Sequence, residues 1–175
     1  MVARPLVRHR VSWAAALNSL FLLTIGIQGF HVIEHIVVVV QFTALGAGLH
    51  EAHGLLGARV DFEWLHFWYN LTFLGAMLLL LLYGRSAGGG RLASVGTALL
   101  TVSVGVQTYH VGEHVLRMVQ YLSTGCTPCE GLVGQAVPFV WPHLLFGLFG
   151  YVWFVAFYIT HGLYPRRGLW RPARG

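Results

Sequence analysis

Charged residues are scarce in this chain. Only 10% of its 175 residues are charged, whereas a soluble domain carries about 25%. Lysine is absent, so all eleven basic residues are arginines, and cysteine occurs only at Cys126 and Cys129. With 56% hydrophobic residues and a mean hydropathy of +0.65, this composition argues against a soluble domain. The formal net charge of +5 does not indicate a nucleic-acid partner, because most arginines flank apolar runs.

Four apolar runs are long enough to cross a bilayer, which takes about 20 residues. They extend from Trp13 to Ala47, from about Phe62 to Tyr83, from about Leu92 to Leu122 and from about Val137 to Tyr158. No small-residue cleavage site follows a short apolar core near Met1, so we expect the first run to be retained. The sequence therefore predicts an all-α integral membrane protein, with residues 1–175 forming a single four-helix transmembrane bundle.

The arginines predict how the bundle is oriented. Three lie before the first run, two lie in the glycine-rich loop at 84–91 and four lie in the tail, whereas Arg59 alone lies in the two remaining loops. Cytoplasmic segments carry the excess of arginine and lysine. We therefore expect an inner (plasma) membrane protein with both termini in the cytoplasm and loops 48–61 and 123–136 on the outer face.

The two halves of the chain match each other in sequence. The matched segments are Gln28–His35 with Gln107–His114, Gln41–Phe42 with Gln120–Tyr121, Gly54–Gly57 with Gly131–Gly134 and Phe62–His66 with Phe139–His143. Two spans in each half make both halves enter the membrane in the same direction. The sequence thus predicts two tandem two-helix repeats, at about 13–83 and 92–160, related by a pseudo-two-fold axis along the membrane normal.

Each repeat carries a His-x-x-Glu-His string inside an apolar run, where ionisable residues mark functional sites. Positions i, i+3 and i+4 share one helix face, so each string directs two imidazoles and one carboxylate to one side. A third histidine follows in the second run of each repeat. If the cytoplasmic boundaries lie near Trp13, Gly84, Leu92 and His161, one histidine of each run lies 18 residues from its boundary: His31, His66, His110 and His143. At about 1.5 Å per residue, this level is near the outer edge of the hydrocarbon core.

These residues form a candidate site for two metal ions near the outer leaflet. The predicted ligands are His31, Glu34, His35, His66, His110, Glu113, His114 and His143. Gln28 and Gln107 lie one turn before the first histidine of each string and are predicted to orient the ligands. Six imidazoles and two carboxylates favour iron, with copper, zinc and manganese as alternatives.

The function that this site favours is an oxidoreductase that activates oxygen and hydroxylates or desaturates a lipophilic substrate taken from membrane lipid. An electron donor or partner subunit is expected. Three alternatives are a haem b electron-transfer subunit, a zinc-dependent membrane hydrolase and a metal carrier. The His-x-x-Glu-His string resembles that of inverted zinc peptidases, in which two histidines bind zinc and the glutamate is the general base. Here the string occurs twice within membrane spans, so we interpret Glu34 and Glu113 as ligands.

Polar residues of the outer loops have less defined roles. His50 and His53 are interpreted either as metal-capturing or as solvated side chains. Cys126 and Cys129 face an oxidising compartment in this topology, which favours a local disulfide. Four spans with an outer Cys-x-x-Cys resemble the quinone-linked disulfide-forming enzymes of bacterial membranes. Those enzymes relay through a second cysteine pair, which this sequence lacks.

Overall fold

The computed structural model describes residues 4–49, 51–57, 59–86, 90–161 and 163. Within these ranges the chain is helical and contains no strand. The helices are α1 (Arg4–Thr43), α2 (Phe62–Ser86), α3 (Arg91–Thr124) and α4 (Val140–Thr160), and a 3₁₀ turn at Val133–Gln135 precedes α4. Each helix has a segment long and apolar enough to cross a membrane: Ala15–Thr43, Glu63–Gly84, Arg91–Thr124 and Val140–Thr160. The prediction of four membrane-spanning helices is confirmed.

Prolines lie in the first turns of two helices, α1 and α4. α1 begins at Arg4, earlier than the expected start at Trp13, and Pro5 lies in its first turn. The first backbone N–H groups of a helix have no helical partner, so proline is tolerated there. α4 begins at Val140, after Pro138, and again has a proline, Pro142, in its first turn.

The four helices pack in a ring in which each helix contacts the next one along the chain and α4 contacts α1. Among these four contacts, the one between α1 and α2 is the least extensive. Large apolar side chains cover the outside of the ring, including Leu23, Leu82, Leu92, Leu122 and Leu145. An apolar exterior of this kind suits contact with lipid.

The interior of the bundle has an apolar end and a polar end. An apolar cluster fills the end nearer the start of α1, and its members include Phe21, Phe73, Leu80, Leu100 and Phe154. Buried histidine, glutamate, glutamine and asparagine side chains lie toward the other end, which carries the two long loops at 44–61 and 125–139. The candidate functional residues therefore lie on the loop side of the bundle.

Candidate metal centre

Two histidine pairs turn their ring nitrogens toward each other, one turn apart on a helix. In α1 the Nε2 atoms of His31 and His35 lie 3.1 Å apart. In α3 the Nε2 atoms of His110 and His114 are also 3.1 Å apart. Two imidazole nitrogens that bind one ion at about 2.1 Å are separated by about 3.0 to 3.4 Å, depending on the coordination angle. The spacing in both pairs is that of a hydrogen bond between the two rings, and it also lies in the range for two ligands of one ion.

A histidine from the following helix completes each group. His66 of α2 joins the α1 pair, and His143 of α4 joins the α3 pair. Within each group the ligand atoms all lie within 4.8 Å of one another. We call His31, His35 and His66 the first triad, and His110, His114 and His143 the second triad. All six side chains are buried, and each triad could hold a metal ion.

The two triads adjoin at the centre of the bundle. The ring centroids of His35 and His143 are 5.8 Å apart, and those of His66 and His114 are 6.0 Å apart. Every helix contributes at least one imidazole to this layer. The six rings therefore form one continuous nitrogen-rich layer within the described part of the bundle.

Glu34 and Glu113 contact the loops. The Oε2 atom of Glu34 accepts hydrogen bonds from the backbone N–H groups of Leu55 at 2.8 Å and Leu56 at 3.3 Å. The Oε2 atom of Glu113 accepts bonds from Leu132 at 2.9 Å and Val133 at 3.4 Å. Neither carboxylate belongs to a triad. The hypothesis that these glutamates bind or bridge metal ions therefore stays a prediction. Their Oε2 atoms accept from backbone donors, which need acceptors wherever they are buried, and Glu113 Oε1 accepts from the Tyr109 hydroxyl.

A glutamine nearly two turns beyond each histidine pair holds the loop at a second point. Gln41 accepts a hydrogen bond from the Gly54 N–H at 2.8 Å, and Gln120 accepts one from the Gly131 N–H at 2.9 Å. Both glycines have left-handed backbone angles, with φ of +72° at Gly54 and +67° at Gly131. A Cβ atom at either glycine would collide with the carboxylate of the neighbouring glutamate. Each loop is thus fixed directly over the histidine layer.

A buried ion pair beside the second triad was not identified from the sequence. Arg117 Nη2 lies 3.0 Å from Glu63 Oε1, and both side chains are almost fully buried. The same Glu63 oxygen accepts a hydrogen bond from the Cys129 N–H at 2.8 Å. Arg117 Nη1 also lies 2.7 Å from the Nε2 atom of His143. The signal that could have found this pair is the presence of opposite charges within two apolar runs, since such charges in a membrane pair with each other.

Asn70 links Gln107 to the second triad. The Asn70 amide nitrogen lies 3.0 Å from His114 Nε2, and the Gln107 amide nitrogen donates to Asn70 Oδ1 at 3.0 Å. Gln28, which occupies the matching position in α1, is equally buried, but its amide nitrogen has no hydrogen-bond partner among the described residues. The surroundings of the two triads therefore differ.

Two further predictions concern the cysteines and histidines of the loops. Cys126 and Cys129 form a disulfide, as the sequence indicated. His53 is half-buried and lies outside both triads, and His50 lies outside the described residues.

No protein-family model matches the chain, and comparisons with curated proteins and with solved structures give no match.

Proposed function

We propose that this protein is a membrane metalloprotein that binds one metal ion in each triad and activates oxygen to oxidise a lipophilic substrate. The observation that carries the proposal is the pair of adjoining, buried, all-imidazole triads. The arginine distribution supports an inner-membrane location, with both termini in the cytoplasm and the triads toward the outer face.

The donor atoms bear on the choice of metal. Imidazole binds copper, zinc, iron and nickel, whereas carboxylate oxygen suits manganese and magnesium. Each triad supplies three nitrogens, and the two nearby glutamates accept hydrogen bonds from the loops. Copper also forms the strongest complexes of the divalent first-row metals with such ligands. We therefore favour copper. Iron would be favoured if the two carboxylates joined the six imidazoles as ligands.

Two neighbouring redox-active ions would supply the electron transfer that oxygen reduction needs. In a hydroxylation, one atom of O₂ enters a C–H bond of the substrate. The other atom becomes water with two electrons and two protons from a separate donor. The triad histidines would hold the ions in a buried layer, and the apolar outer surface of the bundle would contact a lipophilic substrate dissolved in the lipid.

Zinc hydrolysis is the second candidate. Three histidines with an open fourth position is a donor set of catalytic zinc sites, and each triad offers three histidines. Haem b is less well supported, because the ring centroids within each triad lie only 4.4 to 5.3 Å apart. Imidazoles packed this closely leave little room for a macrocycle between them.

We also propose that the two halves are tandem repeats related by a pseudo-two-fold axis along the membrane normal. Three pairs of contacts support this symmetry. Each half has a histidine triad, a glutamate bonded to loop N–H groups and a glutamine bonded to a loop glycine.

Elemental analysis of detergent-purified protein tests the proposal. We expect about two copper ions per chain, and about one in either His35→Gln or His114→Gln, because each substitution removes one ligand from one triad. His161→Gln is the control, since His161 contacts Thr97 at the other end of the bundle and belongs to neither triad. An optical and electron paramagnetic resonance spectrum identifies the oxidation state.

Protein without a transition metal, or metal content unchanged in both triad variants, would overturn the proposal. Stoichiometric zinc with no redox-active metal would support the hydrolase.

A further inference from the structure

Two side-chain donors approach the second triad at the nitrogen atoms that would bind an ion. The Asn70 amide nitrogen lies 3.0 Å from His114 Nε2, and Arg117 Nη1 lies 2.7 Å from His143 Nε2. The ring centroids of His114 and His143 are 5.0 Å apart. Both donors are therefore directed at the same small region of the bundle.

His143 presents a lone pair to Arg117. Its Nδ1 atom lies 2.8 Å from the Phe139 carbonyl oxygen, which can only accept, so Nδ1 carries the ring proton and Nε2 does not. A guanidinium group can only donate, and so can an amide nitrogen. Arg117 and Asn70 thus donate toward the atoms that a metal ion would use as ligands.

Neighbouring side chains hold the two donors in these orientations. Gln107 donates to Asn70 Oδ1 at 3.0 Å, which directs the Asn70 amide nitrogen toward His114. Glu63 Oε1 accepts from Arg117 Nη2 at 3.0 Å. Both donor side chains are fully buried. Donors whose orientation is fixed in a site that excludes bulk water are the arrangement that best stabilises negative charge.

An ion in the second triad would take the two lone pairs away from these donors. Asn70 and Arg117 would then each lose an acceptor, and a buried donor without its acceptor is unfavourable, most of all a charged one. Three imidazoles leave a fourth position of a tetrahedral ion open. An anion at that position would supply acceptor atoms to both donors.

The first triad has no such donors. In the proposed repeat, Gly147 matches Asn70 and Val38 matches Arg117, and neither side chain carries an N–H group. Glu34 and Glu113 are present in both halves and bind their loops in the same way, so they do not distinguish the triads. A preference for an anion should therefore belong to the second triad alone.

We infer that the second triad binds a small anion together with its metal ion, and that Asn70 and Arg117 donate hydrogen bonds to this anion. The inference rests on the proposed function, for which it places oxygen binding at the second triad, because oxygen that has accepted electrons is a small anion.

Azide binding to single-triad variants, each loaded with one copper(II) ion per chain, tests the inference. Azide bound to copper(II) gives an absorption band that follows the titration. We expect His35→Gln, in which only the second triad is intact, to bind azide about tenfold more tightly than His114→Gln, in which only the first is intact. This ratio corresponds to about one hydrogen bond to the anion.

Two further changes in the His35→Gln background test the donors themselves. Asn70→Ala should weaken azide binding about fivefold, and Gln107 keeps a partner in this variant, because it also donates to the backbone oxygen of residue 70 at 3.3 Å. Glu63→Leu with Arg117→Met removes the ion pair as a unit, since loss of Arg117 alone would leave a buried charge. It should weaken azide binding about tenfold, and Asn70→Ala decides if this double variant does not fold.

Ser103→Ala is the matched control. Ser103 is a fully buried polar residue of α3, like Arg117, but its hydroxyl has no hydrogen-bond partner among the described residues. This variant should keep the full azide affinity. Equal azide affinities of the two single-triad variants, or an affinity unchanged by Asn70→Ala, would overturn the inference.

Metal content measured on the same samples separates this inference from the proposed function. Copper bound by both single-triad variants with equal azide affinities would overturn the inference and leave metal binding in place. Protein that binds no copper would overturn the proposed function and this inference with it. Tighter azide binding at the second triad of a protein that oxidises no lipophilic substrate would support the anion site and overturn the oxidoreductase.

Discussion

At the scale of single residues, the two glutamates beside the triads connect the loops to the helices. Each carboxylate accepts hydrogen bonds from two successive backbone N–H groups of a loop. Glu113 also accepts a bond from the Tyr109 hydroxyl at 2.9 Å. Hydrogen bonds to an ionised acceptor are stronger than those between neutral groups. These contacts bind loop to helix beside the histidines.

Replacing both glutamates by glutamine should therefore reduce stability and leave metal content unchanged. We expect Glu34→Gln and Glu113→Gln each to lower the free energy of unfolding by about 1–2 kcal/mol, since a neutral amide oxygen replaces a carboxylate. Thermal unfolding in detergent, combined with elemental analysis, measures both quantities. Glu130→Gln is the control, because Glu130 is exposed. Loss of one or both ions in the double variant would instead establish the carboxylates as metal ligands.

The sequence predicted which histidines and glutamates share a helix face, but it could not predict the loop partners of the glutamates, for a physical reason. Helical periodicity places Glu34 on the same face as His31 and His35, but it carries no information about which loop packs over that face. The loop N–H groups that donate hydrogen bonds to Glu34 belong to residues about 20 positions later in the chain. The link from Gln107 through Asn70 to His114 also depends on how α2 packs against α3, which periodicity does not determine.

At the scale of secondary-structure elements, the two loops depend on glycines with left-handed backbone angles. Gly54 and Gly46 have nearly the same φ, +72° and +69°, but different surroundings. A Cβ at Gly54 would strike the Glu34 carboxylate, whereas a Cβ at Gly46 would have no atom within 4 Å. Comparing substitutions at the two glycines therefore distinguishes the cost of backbone strain from the cost of a steric clash.

We expect Gly54→Ala to destabilise the protein by about 2 kcal/mol more than Gly46→Ala. Both variants carry the cost of a left-handed alanine, but only the first forces the loop away from a buried carboxylate. Thermal unfolding of the two variants in the same detergent gives the difference. Equal destabilisation would mean that the Glu34 contact contributes little to stability.

The membrane-spanning helices themselves were predictable, because long apolar runs mark them. α2 and α3 begin within one residue of their expected starts. α1 extends nine residues further toward the N-terminus than its apolar run, since hydropathy marks the part of a helix that lies in lipid and not the whole helix. The pairing of Glu63 with Arg117 could not be read from hydropathy, because it requires the depth and rotation of two helices.

At the scale of the whole molecule, the two triads have different surroundings. In the second triad, the Nε2 atoms of His114 and His143 lie 3.0 and 2.7 Å from Asn70 and Arg117 side-chain nitrogens. In the proposed repeat, the positions that match Asn70 and Arg117 are Gly147 and Val38, which offer no such group. An ion that enters the second triad must therefore displace two existing contacts.

The first triad should consequently bind its ion more tightly. We expect the His114→Gln variant, in which only the first triad is intact, to bind copper at least tenfold more tightly than His35→Gln, in which only the second is intact. A difference of this size corresponds to loss of about one hydrogen bond. Titration of metal-depleted protein with copper and a competing chelator measures both affinities. Equal affinities, or tighter binding by His35→Gln, would contradict the prediction.

The polarity of the bundle has an energetic consequence. Residues 15–30, 67–84, 92–109 and 144–160 contain no histidine, aspartate, glutamate, arginine or lysine. The end of the bundle opposite the loops therefore offers no chain of ionisable side chains along which protons could move. Protons taken up or released at the triads would exchange on the loop side or with a lipid-soluble carrier. Under the proposed function, turnover would then move no protons across the membrane along ionisable side chains of this bundle.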